Sequence, residues 1–141
     1  MSQISFYTLS SVDPDSRLLF ACRLTEKARS LGHRVFILTD SAEQARRLDE
    51  LLWRFKTTSF MPHSVMDSEH PGAEAVAIGT TRQLEFHDDV LINLCQQPCH
   101  GHARFKRINE IIAADPQSLA SGRESYRFYQ AAGYSPETHK L

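Results

Sequence analysis

Three observations predict an α/β protein with a mostly parallel sheet of about five strands. Short β-rich apolar runs alternate with helix-periodic segments. Helix-start chemistry and glycine stops fall at the junctions between them. The run at Arg34 to Thr39 is almost wholly apolar, as a strand covered on both faces must be. Right-handed crossovers then place helices on both sides of the sheet, giving three layers.

Gln3 to Leu9 alternates polar and apolar residues and is rich in β-formers, so it reads as the first strand. Ser11-Val12-Asp13-Pro14-Asp15 carries helix-start chemistry. From Ser16 to Leu31, Phe20, Leu24, Ala28 and Leu31 recur at helical spacing, and Gly32 supplies the stop. Arg34 to Thr39 is the second strand. Asp40 reads as the N-cap of a second helix, with Glu43 three residues later. Ala42, Ala45, Leu48 and Leu52 form its apolar stripe, and it ends near Trp53. Lys56 to Glu74 contains Pro62, Pro71 and Gly72 and reads as a long connection. Glu74 to Gly79 and Asp89 to Leu94 read as the third and fourth strands.

Lys106 to Ala113 suits either a strand or a short helix. Asp115-Pro116 opens a new helix immediately afterwards, which favours the strand. The last helix runs from Pro116 to Ala132, Gly133 stops it, and Tyr134 to Leu141 is a tail. Neither an internal repeat nor a linker composition divides the chain, so residues 1–141 are expected to form a single domain.

The balance of 16 basic against 17 acidic residues rules out a surface that is basic overall, so any nucleic-acid or acidic-ligand contact must be local. Met1 to Leu9 has no basic region leading into a long apolar run, and no window approaches the ~18 apolar residues of a membrane span. The cysteines are Cys22, Cys95 and Cys99. An odd number without a secretion signal suggests reduced thiols and a cytoplasmic protein that is not membrane-bound.

Folds of this class often hold a nucleotide on a glycine-rich turn after the first strand. Here that turn is Ser10-Ser11-Val12-Asp13-Pro14, which has no glycine and places an acid where phosphate would sit. No catalytic Ser/His/Asp or Cys/His arrangement can be assigned from spacing. Asp13, Asp15, Asp40, Glu43, Asp49 and Glu50 fall at helix starts or on polar helix faces, where dipole compensation and solvation explain them. Cys95, Cys99, His100 and His102 are soft ligands within eight residues. Their Cys-x-x-x-Cys-His-x-His spacing is not a common structural zinc pattern, and it reads more simply as a loop with Cys95 buried at a strand end and exposed histidines. No catalytic residue, metal or cofactor is therefore expected. The rival class is a small α/β enzyme using a nucleotide or a metal-bound water. A third class is direct single-stranded DNA binding through Arg104, Lys106 and Arg107, which the near-neutral net charge disfavours.

Two segments have the composition of protein-binding surfaces. In the first, Trp53 falls at the end of a helix, and Phe55, Phe60 and Met61 follow in a connection. Such groups either fold back onto the core or await a partner, and Trp, Phe and Met are enriched in interface cores. In the second, Arg123 and Arg127 share one face of the last helix with Tyr126 between them and Phe128, Tyr129 and Tyr134 nearby. Two guanidinium groups beside aromatic surface suit an acidic, aromatic peptide. The plain alternative is a solvated helix face with Glu124 as an intrahelical partner.

Taken together, these residues resemble the chi subunit family of bacterial DNA polymerase III. The likeness begins at Phe6-Tyr7 and continues through Gly32-x-Arg34-Val35 and Arg47-Leu48-Asp49-Glu50-x-Leu52-Trp53. It is densest at Ser59-Phe60-x-Pro62-His63, resumes at Asp89-Val90-Leu91-Ile92, and ends with Arg123-Glu124-x-Tyr126-Arg127-x-Tyr129-x-x-Ala132-Gly133-Tyr134. The segment from Gln96 to Lys106 departs most from the family's pattern, and the Cys95 to His102 cluster does not belong to it. The resemblance implies a Rossmann-like three-layer sandwich without a nucleotide site. It implies a non-catalytic replication subunit that pairs one-to-one with the psi subunit of the clamp loader. It also implies binding to the acidic, hydrophobic C-terminal tail of single-stranded DNA-binding protein, and so to DNA indirectly. The family's psi-facing aromatic positions fall on Trp53 and Phe60, with Met61 beside them, and its tail-binding positions fall on Arg123, Tyr126 and Arg127.

Overall fold

The computed structural model describes residues 2–55, 63–65, 75–81 and 87–141, with the side chains of Phe55 and of 63–65 excepted. In chain order the elements are β1 (Gln3–Thr8), α1 (Pro14–Ser30), β2 (Val35–Leu38), α2 (Ala42–Phe55), β3 (His63–Val65), β4 (Val76–Gly79), β5 (Val90–Asn93), β6 (Arg107–Ile112), α3 (Pro116–Ala131) and β7 (Glu137–Lys140). The strands form one sheet in the order β3-β4-β2-β5-β6-β1-β7, and every pairing is parallel. The α/β class and the parallel sheet agree with expectation. The strand number is higher, because both edges of the sheet carry a short strand that the sequence reading assigned to a connection or a tail. β3 lies within Lys56 to Glu74, and β7 lies within Tyr134 to Leu141. Neither has the apolar run of an inner strand. An edge strand pairs on one side only, so it needs less burial and can be polar throughout, as Glu-Thr-His-Lys in β7 is.

The helix ends follow from local chemistry. Asp13 caps α1 by accepting from the Asp15 amide at 3.0 Å, with Pro14 at the first helical position. The carboxylate of Asp13 thus occupies the helix start on which a nucleotide-binding relative of this fold class would seat phosphate. Asp115 caps α3 in the same way through the Ser118 amide at 3.0 Å. The cap of α2 is Ser41 rather than Asp40. Its hydroxyl accepts from Gln44 N–H at 3.1 Å, while the Gln44 side chain reaches back to the Asp40 amide at 2.9 Å. Both long helices stop in the same hydrogen-bonded pattern. After α1, Gly32 N–H donates to Arg29 and His33 N–H to Ala28; after α3, Gly133 N–H donates to Gln130 and Tyr134 N–H to Tyr129. The glycines take φ of 85° and 98°, a conformation that costs an L-residue about 1–2 kcal/mol. Gly32→Ala should therefore lower the unfolding free energy by about that amount in urea titrations, with no change in spectroscopic signature.

Alternation along the inner strands separates two cores. Val35, Ile37, Val76, Ile78, Val90 and Ile92 face one side, where α1 and α2 cover them through Leu18, Ala21, Cys22, Ala45, Leu48 and Leu52. Phe36, Leu38, Ala77, Leu91 and Ile108 face the other, with Ile4, Phe6 and Tyr129. The stripe assigned to α1 is rotated from the one that packs deepest. Leu18, Ala21, Cys22 and Thr25 are buried, whereas Phe20, Leu24 and Ala28 are only partly covered and Leu31 is 67% exposed. Ala42 is likewise exposed. α1 therefore carries apolar groups on more of its circumference than its core contact requires.

Candidate functional site

The last helix sits close to the sheet because it presents Gly122, Ser125 and Tyr129 inward. A Cβ on Gly122 would lie 3.1 Å from Cδ1 of Ile112, so a larger residue would push α3 off β6. This approach leaves a groove beside the helix of about 160 Å³. Phe6 and Thr8 of β1, Ile112 of β6 and Thr138 of β7 line it on the sheet side, and Leu119, Gly122, Arg123 and Tyr126 on the helix side. The Tyr126 ring packs 5.4 Å from that of Phe6, and its hydroxyl donates to the Pro136 carbonyl at 3.4 Å. The walls are thus largely apolar, with Arg123 exposed at the rim.

Of the residues singled out on α3, the structure brings Arg123 and Tyr126 to this groove. Arg127 is exposed one turn further along the helix and is not among the lining residues. Tyr129 is not part of the surface: it is 0% exposed and belongs to the core. Thr138 is a lining residue that the sequence reading missed. Its only signal was the alternation of a four-residue polar edge strand, too weak to read.

Trp53, at the end of α2, is 57% exposed. Phe60 and Met61 lie outside the described residues. Ala45, Leu48 and Leu52 anchor α2 on the face of the sheet opposite that covered by Tyr129 of α3. Trp53 and the Arg123 groove therefore belong to opposite layers of the molecule.

The four residues of the Cys-His segment do not converge. Cys99 is buried and its amide donates to the Tyr129 hydroxyl, whereas Cys95 is only half-buried, the reverse of the expected buried Cys95. His100 and His102 meet the Phe128 ring edge-on at 5.1 and 5.8 Å, and His102 Nδ1 bonds the Tyr134 hydroxyl at 2.8 Å. Burial pushes the Cys99 thiol up to about 11 and raises that of Cys95 further, so both stay protonated. Among the described residues no three His, Cys, Asp or Glu side chains are grouped to hold a metal ion.

Beneath α3 lies a buried polar network that the sequence reading also missed. Glu110, 2% exposed, accepts from Tyr129 Oη at 2.7 Å and from Asn93 Nδ2 at 2.8 Å on the same oxygen. Asn93 and Glu110 are register partners on β5 and β6, which is why their side chains meet. Burial drives the Glu110 carboxyl up to about 7, outweighing these hydrogen bonds and the pull of Arg17. Arg17 reaches across from α1 to cap the strand ends, donating to the Ile111 and Leu94 carbonyls at 3.0 Å each. The signal was an acid inside the apolar run Ile108-Asn109-Glu110-Ile111-Ile112.

An all-parallel sheet clothed by helices on both faces defines a doubly wound α/β protein. A chain of a solved assembly of a S. cerevisiae Dbp5 variant with Nup159, a Gle1 variant, IP6 and ADP has this fold, with a TM-score of 0.66 over 97% of this chain and 41% of that one. At 9% identity it shares the fold alone. The sequence is more specific: the family model described as DNA polymerase III chi subunit, HolC matches residues 1–137. The chain belongs to the DNA polymerase III chi subunit family. It is 36% identical to DNA polymerase III subunit chi of Pseudomonas aeruginosa, over 100% of this chain and 98% of that protein. It is 27% identical to the subunit of the same name from Escherichia coli, over 98% of this chain and 97% of that one. The protein is therefore an accessory subunit of DNA replication and not a catalytic enzyme, and its partners belong to a replication complex. Among the described residues, no helix is long and apolar enough to cross a membrane.

Proposed function

We propose that the protein bridges the psi subunit of the clamp loader and the acidic C-terminal tail of single-stranded DNA-binding protein. The observation that carries this reading is the placement of Arg123 and Tyr126 at an apolar groove on one face of the sheet, with the exposed Trp53 anchored on the other. Two partners docked on opposite layers do not compete for space. In the groove, Arg123 pairs with the terminal carboxylate of the tail, and its last apolar side chain packs against Phe6, Ile112, Leu119 and Tyr126. Arg127, one turn along, meets carboxylates upstream in the tail. Trp53 supplies the aromatic anchor for psi, together with Phe60 and Met61. A single tail contact is weak, and several tails presented on one coated strand raise the effective affinity.

Arg123→Ala should weaken binding of a tail peptide about tenfold or more, since a charge-assisted hydrogen bond contributes about 1.5–3 kcal/mol, while Trp53→Ala leaves it unchanged. Titration by fluorescence anisotropy gives both numbers, and an undiminished affinity of the Arg123 variant would remove the groove from the tail site. Conversely, Trp53→Ala should abolish co-purification with psi while the variant stays folded by circular dichroism, Trp53 being 57% exposed.

A further inference from the structure

The half-covered apolar side of α1 opens onto a second groove, at the end of the sheet where the strands begin. Leu24, Ala28 and Leu31, spaced at i, i+4 and i+7, form one wall, and Val90 at the start of β5 lies in the floor. The groove has a volume of about 310 Å³, at the small end of ligand clefts (roughly 300–1,000 Å³). Leu31 is 67% exposed beside it. The rim is cationic: Lys27 comes from α1, and Lys106 and Arg107 from the start of β6. The acid in the lining, Asp89, is already engaged. Its carboxylate accepts from the Arg34 amide at 2.9 Å and pairs with His33 Nδ1 at 3.1 Å. Among the described residues, neither Lys27 nor Lys106 has a carboxylate within ion-pair distance.

We infer that this groove docks an acidic, aliphatic segment of a partner protein, a surface separate from both Trp53 and the Arg123 groove. Gln3 and Asn109 also line the groove, and Arg107 donates to the Gln3 side chain at 2.7 Å; an aliphatic wall facing Lys27 and Lys106 is complementary to alternating carboxylates and aliphatic side chains. A single strand of nucleic acid fits the charge but not the surface, because base stacking needs a free aromatic face. Of the rings in the lining, Tyr7 is held between Phe20 at 5.1 Å and His139, stacked at 4.9 Å, and the His33 imidazole is tied to Asp89 at 3.1 Å. At the helix end beside the groove, the Arg29 and Ala28 carbonyls accept from the Gly32 and His33 amides.

The test uses the full chain, isotope-labelled for NMR. The probe is a short amphipathic peptide in which leucine pairs alternate with glutamate pairs, run against its lysine-for-glutamate counterpart and against oligothymidylate. Saturable binding of the acidic peptide, with amide shifts at Lys27, Leu31, His33 and Lys106, is expected. The double variant Lys27→Glu, Lys106→Glu should weaken it about tenfold or more, and Leu31→Ser should do likewise, all three residues being exposed and each variant's fold being checked by its amide spectrum. Arg123→Ala and Trp53→Ala should leave it unchanged, so the outcome is independent of the bridging proposal. Absence of saturable binding, equal binding of the lysine peptide, or tighter binding of oligothymidylate to the same amides would overturn the inference.

Discussion

Tyr129→Ala should lower the unfolding free energy by about 3–5 kcal/mol, the range for removing a buried aromatic ring. Tyr129 is 0% exposed, and its ring closes the core between α3 and the sheet against Phe6 at 6.0 Å. Its hydroxyl is also the junction of two buried partners: it donates to Glu110 and accepts from the Cys99 amide. Tyr129→Phe separates these roles. It keeps the ring but leaves a buried carboxyl and a buried N–H short of a partner, at a cost of about 1–3 kcal/mol. Urea denaturation at fixed pH distinguishes them, and a Phe variant as stable as the parent would mean that the hydroxyl contributes nothing. Arg123 and Arg127, exposed on the same helix, should tolerate Ala with little change in stability.

The second large effect is a dependence on pH. The Glu110 carboxyl titrates near 7 in the folded protein against an ordinary 4.5. Between these values the folded state holds a proton that the unfolded state has released. Stability is therefore fully present below about pH 4.5 and is lost as pH rises through about 7, by about 3 kcal/mol in total. His87 works in the opposite direction: burial, with Arg34 nearby, lowers its basicity, so it favours the folded state as pH rises toward 6.5. Comparing the protein with Glu110→Gln removes that contribution, because His87 is common to both. The unfolding free energy of the parent, taken relative to that of Glu110→Gln, should fall by about 3 kcal/mol from pH 4.5 to pH 8. A constant difference would place the titration of Glu110 elsewhere.

The parts of the fold that were legible in the sequence are those that local chemistry dictates. Asp13-Pro14, Gly32, Asp115-Pro116 and Gly133 mark helix ends through backbone hydrogen bonds that involve only near neighbours. Val35 to Leu38 declares a central strand because burial on both faces demands four apolar residues in succession. What was not legible depends on tertiary placement. β7 is strand because β1 offers it an edge, not because Glu-Thr-His-Lys prefers extension. The periodicity of α1 points to Phe20, Leu24, Ala28 and Leu31, but small residues such as Ala21 and Cys22 pack closest, a choice set by distance to the sheet. Arg123 and Tyr126 could be named from spacing and family likeness. The groove between them could not, since Thr138 and Phe6 arrive from strands distant in sequence.

The bridging account depends most on the two docking surfaces being independent. The affinity of the tail peptide should be measured for the protein alone and for the protein saturated with psi, with the mass of the mixed complex recorded alongside. Equal affinities within about twofold and a one-to-one-to-one complex are the expected result, about twofold being less than 0.5 kcal/mol. Displacement of the tail peptide by psi would contradict the account.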